Sequence, residues 1–251
     1  MIIADYHTHT IFSHGKGTIE ENVKRAEELG LKQIAITDHG LRHIAFGLNP
    51  KKVKKMRAII DEIQPKYKVK ILLGIEANLI SSEGDIDVKE EQMGWFDIIV
   101  VGWHKAVYST STKEWWKFIG RNIIYSTLHL PFPQKIVDMN TEAFCKAVKK
   151  NRIDILSHVN YDIKVDPVKV AKAAAETDTY FEISAKKDHL TVEQFKEVAN
   201  TGVEFVVNSD AHSVARVGEF SLAQKYVDMA GIKEEQIANM DRLIRLKRYQ
   251  N

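Results

Sequence analysis

Seven short runs of apolar, largely β-branched residues recur along the chain, each bounded by turn or polar residues: Ile2–Tyr6, Gln33–Thr37, Lys70–Glu76, Asp97–Gly102, Asp154–Ser157, Tyr180–Ile183 and Glu204–Asn208. Such runs read as strands buried on both faces. Between them lie longer stretches with helical spacing of apolar residues: Ile19–Leu29, Pro50–Gln64, Glu142–Lys149, Pro167–Glu176, Val192–Asn200 and Leu222–Ala230. Thr18 with Glu21 reads as a capping box for the first of these, Gly30 as its stop, and Thr191 as a cap for the fifth. Repeated strand–helix alternation predicts a mostly parallel sheet covered by helices, either doubly wound or closed into a barrel. A length of 251 residues and a 44% hydrophobic content suit one α/β domain with one sizeable core. No linker, repeat or low-complexity stretch divides it. Lys105–Thr141, with its Ser/Thr run, Trp115-Trp116 and Leu130-Pro131-Phe132-Pro133, is the least regular part and reads as an excursion from the sheet.

The chain has ten histidines, and seven of them follow the strand candidates. His7, His9 and His14 come after the first strand, His39 after the second, His104 after the fourth, His158 after the fifth and His212 after the seventh; Glu76 ends the third and Asp210 follows the seventh. All therefore fall at the carboxyl edge of a parallel sheet, where α/β proteins build their sites. Residues two apart on a strand share a side, so His7 and His9 can face inward together, as can Asp210 and His212. Imidazoles and carboxylates in this mixture suit zinc, manganese or iron. If the sheet closes, His14, His39 and His212 come from neighbouring strand ends, and Glu76, His104 and His158 from successive ones. His7, His9 and Asp210 lie between, which gives ligands for two or three ions. His129 and His189 read as surface or structural, and Cys145 as core. A single cysteine excludes an internal disulfide or a cysteine-based zinc site.

Taken together, His7-Thr8-His9-Thr10, Ile36-Thr37-Asp38-His39-Gly40, Gly74-Ile75-Glu76-Ala77-Asn78, Ser157-His158 and Ser209-Asp210-Ala211-His212 resemble the PHP family, named for its polymerase and histidinol phosphatase members. The chain is most similar to the small stand-alone bacterial phosphatases of that family. The resemblance runs from Met1 to about Arg245 and is thinnest over Lys105–Thr141. It implies a distorted TIM-like barrel of seven parallel strands with three metals at the carboxyl end. It implies His7, His9, Glu76 and Asp210 for one ion, Glu76, His104 and His158 for a second, and His14, His39 and His212 for a third. Val159 departs from the pattern, because proline often follows this histidine in related sequences.

Clustered divalent ions, zinc first and manganese or iron as alternatives, can polarise a phosphoryl oxygen and generate hydroxide near neutral pH. The expected reaction is therefore hydrolysis of a small phosphomonoester, with Glu76 and Asp210 orienting the nucleophile. Arg42, Lys186 and Arg216 lie on the same loops and are candidate phosphate contacts. Two other enzyme readings share some of these features. An amidohydrolase-type barrel cleaving C–N bonds also opens with a His-x-His pair, but it would place a bridging lysine where this chain has Glu76. A PHP-type nuclease would act on phosphodiesters. The charge balance, 36 Lys and Arg against 34 Asp and Glu, speaks against a polynucleotide partner. A metal-binding scaffold without activity would have lost ligands. The basic tail Arg242–Arg248 reads as a solvated helix face. No segment reads as a leader or membrane span, so the expected location is the cytoplasm.

Overall fold

A parallel sheet in the order β1-β2-β3-β4-β5-β6-β7 wraps into a nearly closed barrel. The structure, a computed structural model, describes residues 1–249. The strands are β1 (Ala4–Thr8), β2 (Gln33–Ile36), β3 (Lys70–Asn78), β4 (Ile98–Gly102), β5 (Ile155–Leu156), β6 (Tyr180–Ser184) and β7 (Phe205–Asn208). Seven strands fall one short of the ordinary (β/α)8 closure, and β1 is bridged not to β7 itself but to the segment after it, Thr8 with Ala211. Side chains stitch the rest of that seam. The Asn239 amide donates to Ala4 O at 2.9 Å and Val207 O at 2.7 Å, and its oxygen accepts from Val207 N at 3.0 Å. Asp5 accepts from Ser209 N and Oγ and from Gly218 N. Buried backbone groups that a complete ladder would satisfy are thus satisfied by these two residues.

Helices pack outside: α1 (Ile19–Glu28), α2 (Pro50–Ile63), the single turn α3 (Glu90–Met93), α4 (Thr112–Glu114), α5 (Arg121–Thr127), α6 (Gln134–Lys150), α7 (Pro167–Ala175), α8 (Val192–Ala199) and α9 (Ser221–Ala230). The Thr18–Glu21 capping box forms as the sequence predicts, and Thr191 caps its helix, there completing a capping box with Gln194. Two apolar layers result. One fills the space between strands and helices. The other fills the barrel itself, with Ala4, Tyr6, Ala35, Leu72, Ile98, Val100, Ile155, Tyr180 and Val206 from the strands, joined by Ala238, Ile244 and Leu246. The tail is therefore not a solvated helix face. Ile244 and Leu246 alternate with exposed Arg245 and plug the amino end, while Lys247 N donates to Asp154 and Arg248 reaches Asp97.

Lys105–Thr141 is more regular than its composition suggests. After an extended rim segment it winds as α4, a widened π turn over Trp115–Gly120, and α5. The following helix α6 starts at Gln134, eight residues before the predicted Glu142. Ile136, Asn140, Ala143, Phe144 and Ala147 give it a buried helical stripe. The buried amides of Asn122 and Asn140 bond reciprocally at 2.8 Å and hold α5 against α6. The adjacent Trp115 and Trp116 diverge: Trp115 packs on the core and donates to Val107 O, whereas Trp116 is exposed.

Candidate metal centre

The inward register of the barrel carries over into its carboxyl end. On β3, Leu72 lies in the apolar layer and Glu76 two inward steps later reaches the centre. Val100 leads to Gly102 and His104, Ala35 to Thr37 and His39, and Val206 to Asn208 and Asp210. A side chain at Gly102 could not be accommodated, since a Cβ there would stand 2.5 Å from Ser157 Oγ and 2.9 Å from His158 Cε1. Strand β1 breaks the alternation. Its register against β2 slips between Asp5 and Thr8, so Tyr6 belongs to the apolar layer while His7 immediately after it also faces inward. A bulge of this kind re-aims a side chain, here two histidines.

Glu76 is the hub. His7 Nε2 and His104 Nε2 lie 3.3 Å from its Oε1, and His158 Nε2 lies 2.9 Å away. His39 Nδ1 and His9 Nε2 lie 3.0 and 3.4 Å from its Oε2. Asp210 Oδ1 stands 3.4 Å from His9 Nε2 and 3.3 Å from His212 Nδ1. His14 joins through its ring, stacked on His39 at 4.7 Å and 4.2 Å from His212. All nine candidate ligands are thus at one end. Donor atoms within 4.8 Å of one another form overlapping sets: His7–His9–Glu76, His7–His158–Asp210, His39–Glu76–His104 and His9–His39–His212. Two of the nine residues, His158 at φ 27° and Asp210 at φ 48°, adopt backbone conformations that L residues seldom take.

Surrounding groups fix which ring nitrogens face the centre. Glu182 Oε1 accepts from His7 Nδ1 at 2.8 Å and Asn78 Oδ1 from His104 Nδ1 at 2.7 Å. A proton held on Nδ1 leaves the Nε2 lone pair for a cation. His7 Nε2, His9 Nε2, His39 Nδ1 and Glu76 Oε2 are buried there without a hydrogen-bond partner. In an ordinary interior such atoms would be satisfied. Burial alone would lower the His7 pKa, yet Glu182, Glu76 and Asp210 hold it well above its usual value. Burial would raise Glu76, but His104 and His7 hold it well below the carboxylate range. Burial pushes His39 down to about 3 and His14 to about 4, so both stay neutral at physiological pH. Neutral His39 and His14 beside negative carboxylates are donors of the kind a divalent ion requires, and the proton that the carboxylates draw onto His7 is one that such an ion would replace.

Of the three candidate phosphate contacts, the structure brings only Lys186 to the centre. Its Nζ lies 2.6 Å from His212 Nδ1 and 3.3 Å from Asp210 Oδ1. Arg42 instead donates to Ser109 O at 2.6 Å and Arg216 to Ala185 O at 3.0 Å, and neither lines the cavity over the centre. Arg42 is a rim staple: Tyr108 N donates to its carbonyl and Ile44 N to Ala106 O, joining the loops after β2 and β4. Sequence reasoning overlooked Glu182, which also accepts from His158 N and from the Asn208 amide. A lone acid in the apolar run Tyr180–Ser184 was its signal. Buried Asp38, accepting from Thr10 and Ser13, folds the turn that presents His14.

A probable phosphatase of Thermoanaerobacter sp. (strain X514) is 30% identical, over 96% of this chain and 91% of that protein. The histidinol phosphate phosphatase of Lactococcus lactis, solved with zinc, L-histidinol and phosphate, shares the fold with a TM-score of 0.59 at 18% identity, over 92% of this chain and 95% of that one. An N-acetyl-D-glucosamine-6-phosphate deacetylase of Mycobacterium smegmatis superposes with a TM-score of 0.53 at 11% identity, over 96% and 72%. The barrel alone therefore does not separate phosphate from amide chemistry. Relatives, fold and site together define a metal-dependent hydrolase of phosphoric esters. The chain belongs to the PHP domain family, whose model matches residues 5–238.

Proposed function

We propose that the chain hydrolyses a small phosphomonoester at a centre of three divalent ions, zinc first and manganese or iron as alternatives. His7, His9, Glu76 and Asp210 would hold one ion, Glu76, His104 and His158 a second, and His14, His39 and His212 a third. The observation that carries the reading is the set of buried, unpartnered donors around Glu76. Bound ions of this kind supply Lewis acidity toward a phosphoryl oxygen and lower the pKa of water. The chain's own residues do the rest. Glu76 presents its two oxygens to different imidazole groups. Asp210, beside His9 and His212, orients the attacking water. Lys186, beside Asp210, is positioned to balance charge on the phosphate. The cavity above them, about 250 Å³, suits a small ester. At its rim Lys105 pairs with Asp162 at 2.9 Å, so it is not a bridging lysine of the C–N hydrolase kind.

Elemental analysis of protein purified without chelator should approach three ions per chain. His39→Ala should lose mainly the third ion and His104→Ala mainly the second. Chelation should stop phosphate release from a panel of phosphomonoesters. Saturation at one ion would overturn the partition. Faster turnover of a cyclic amide, with no metal-dependent phosphate release, would move the chain to C–N hydrolysis.

A further inference from the structure

The mouth of the cavity is charged unevenly. Lys105, Lys186 and Lys187 line it, against a single rim carboxylate, Asp162. Asp162 is already engaged, pairing with Lys105 at 2.9 Å and accepting from Ser126 Oγ at 3.1 Å. Lys186 faces inward to Asp210 and His212. Lys187 has no ion-pair partner among the described residues and lies over the Tyr161 ring, 4.1 Å from its centroid. Tyr161 in turn stands 5.9 Å from the His158 ring. The Lys187 ammonium is therefore one aromatic ring beyond the innermost layer of the site. Across the mouth, Phe46 packs against His14 at 5.0 Å and His43 at 5.5 Å and adds no charge of its own. The rim thus carries one positive charge without a counterion, displaced sideways from the point where phosphate would bind.

We propose that Lys187 selects substrates bearing a second anionic group, a carboxylate or a second phosphate, a few bonds from the scissile phosphate. A cationic group at that place, such as an amine, would meet a like charge at the mouth. The inference rests on the phosphomonoesterase reading, because it takes the metal end as the seat of the phosphate. It separates this chain from any phosphatase whose ester carries an ammonium.

The test uses metal-loaded full-length protein and three phosphonates with one three-carbon skeleton: 3-phosphonopropionate, propylphosphonate and 3-aminopropylphosphonate. Calorimetry should rank affinity carboxylate over methyl over amine, with roughly two- to fivefold between the first two, as expected for a half-exposed ion pair. Lys187→Gln should bring the carboxylate-to-amine ratio close to one, and Lys187→Glu should invert it. Equal or tighter binding of the amine by the unsubstituted protein, an unchanged ratio in Lys187→Gln, or binding of none of the three would overturn the inference. Phosphate release from 3-phosphoglycerate by the same preparation is read separately. Release without the charge ranking overturns this inference alone, and the ranking without release from any ester overturns the phosphatase reading alone.

Discussion

The two ends of the barrel are built from the same strands and obey opposite rules. At the amino end Ile244 and Leu246 close an apolar layer, and the buried carboxylate Asp154 is answered by Ile99 N and Lys247 N at 2.8 Å each. At the carboxyl end the inward positions of those strands carry His39, Glu76, His104 and Asp210, and several buried polar atoms face one another unpartnered. A satisfied interior adds stability, whereas an unsatisfied one costs it until a ligand supplies the missing partner. The amino end therefore reads as scaffold and the carboxyl end as site, and the contrast can be tested from both directions.

Substitution of the hub should have the largest effect. Glu76→Gln keeps the shape but removes the charge that five imidazoles surround. Turnover should fall by at least about a hundredfold, with metal content falling alongside, while the circular dichroism stays native. Asp210→Asn should behave similarly. Turnover within tenfold of the unsubstituted enzyme, at matched metal content, would remove Glu76 from the centre of the mechanism. The converse experiment is Ile244→Ala, in which an interior side chain with 7% exposure is truncated. It should cost about 2–3 kcal/mol in urea unfolding, by lost burial and an unfilled cavity. Turnover per folded molecule should not change. Loss of metal in Ile244→Ala would show that the two ends are coupled.

Legibility in the sequence divides along the same line. The seven strands could be read because both faces are buried, which leaves runs such as Ile98–Gly102 almost wholly apolar. The nine candidate ligands could be read because every strand but β6 ends in or leads into a polar group of metal-binding type. What local pattern does not encode is the slip in β1, since a bulge depends on pairing with β2. The strand consequently extends to Thr8, beyond the predicted Tyr6. The start of α6 is not legible because Pro131 and Pro133 just before it read as a loop, while its apolar stripe is interrupted by Asn140, whose partner Asn122 lies in another helix. The tail was misread for a related reason. Its basic residues suggest a solvent-facing surface, yet Ile244 and Leu246 recur with a period of two and are buried.

An intermediate effect should come from the layer that holds the ligands. Glu182 is fully buried and accepts from three donors: His7 Nδ1, His158 N and the Asn208 amide. In Glu182→Gln the new NH2 group must face either His158 N or the His7 Nδ1 and Asn208 pair, and in both placements the negative charge that holds the His7 Nδ1 proton is lost. Metal affinity should weaken about tenfold or more, with turnover recovering in part at high metal concentration. Affinity equal to that of the unsubstituted protein, titrated with a competing chelator, would confine Glu182 to the scaffold.

The smallest effect expected is a slope rather than a loss. His189 is buried, its Nδ1 donates to Val159 O at 2.8 Å, and its Nε2 has no partner. It links the loop carrying Lys186 and Lys187 to the loop carrying His158 and Tyr161. Burial lowers its pKa to about 4, because a proton on Nε2 would place an N–H and a charge where no acceptor waits. The unfolded chain binds that proton near the ordinary pKa of about 6.5. Below about 6.5 the unfolded state therefore holds more protons than the folded one, and stability falls as pH falls, until the folded group itself protonates near 4. Each pH unit in that window removes about 1.4 kcal/mol at most. In metal-free protein His14, His39 and His43 add slope of the same sign, so the measurement is a difference. His189→Gln, whose amide can still donate to Val159 O, should lose about 1 kcal/mol less than the unsubstituted protein between pH 6.5 and 5.5. Parallel stability curves for the two proteins across that unit would mean that the buried imidazole takes up its proton in the folded state as readily as in water.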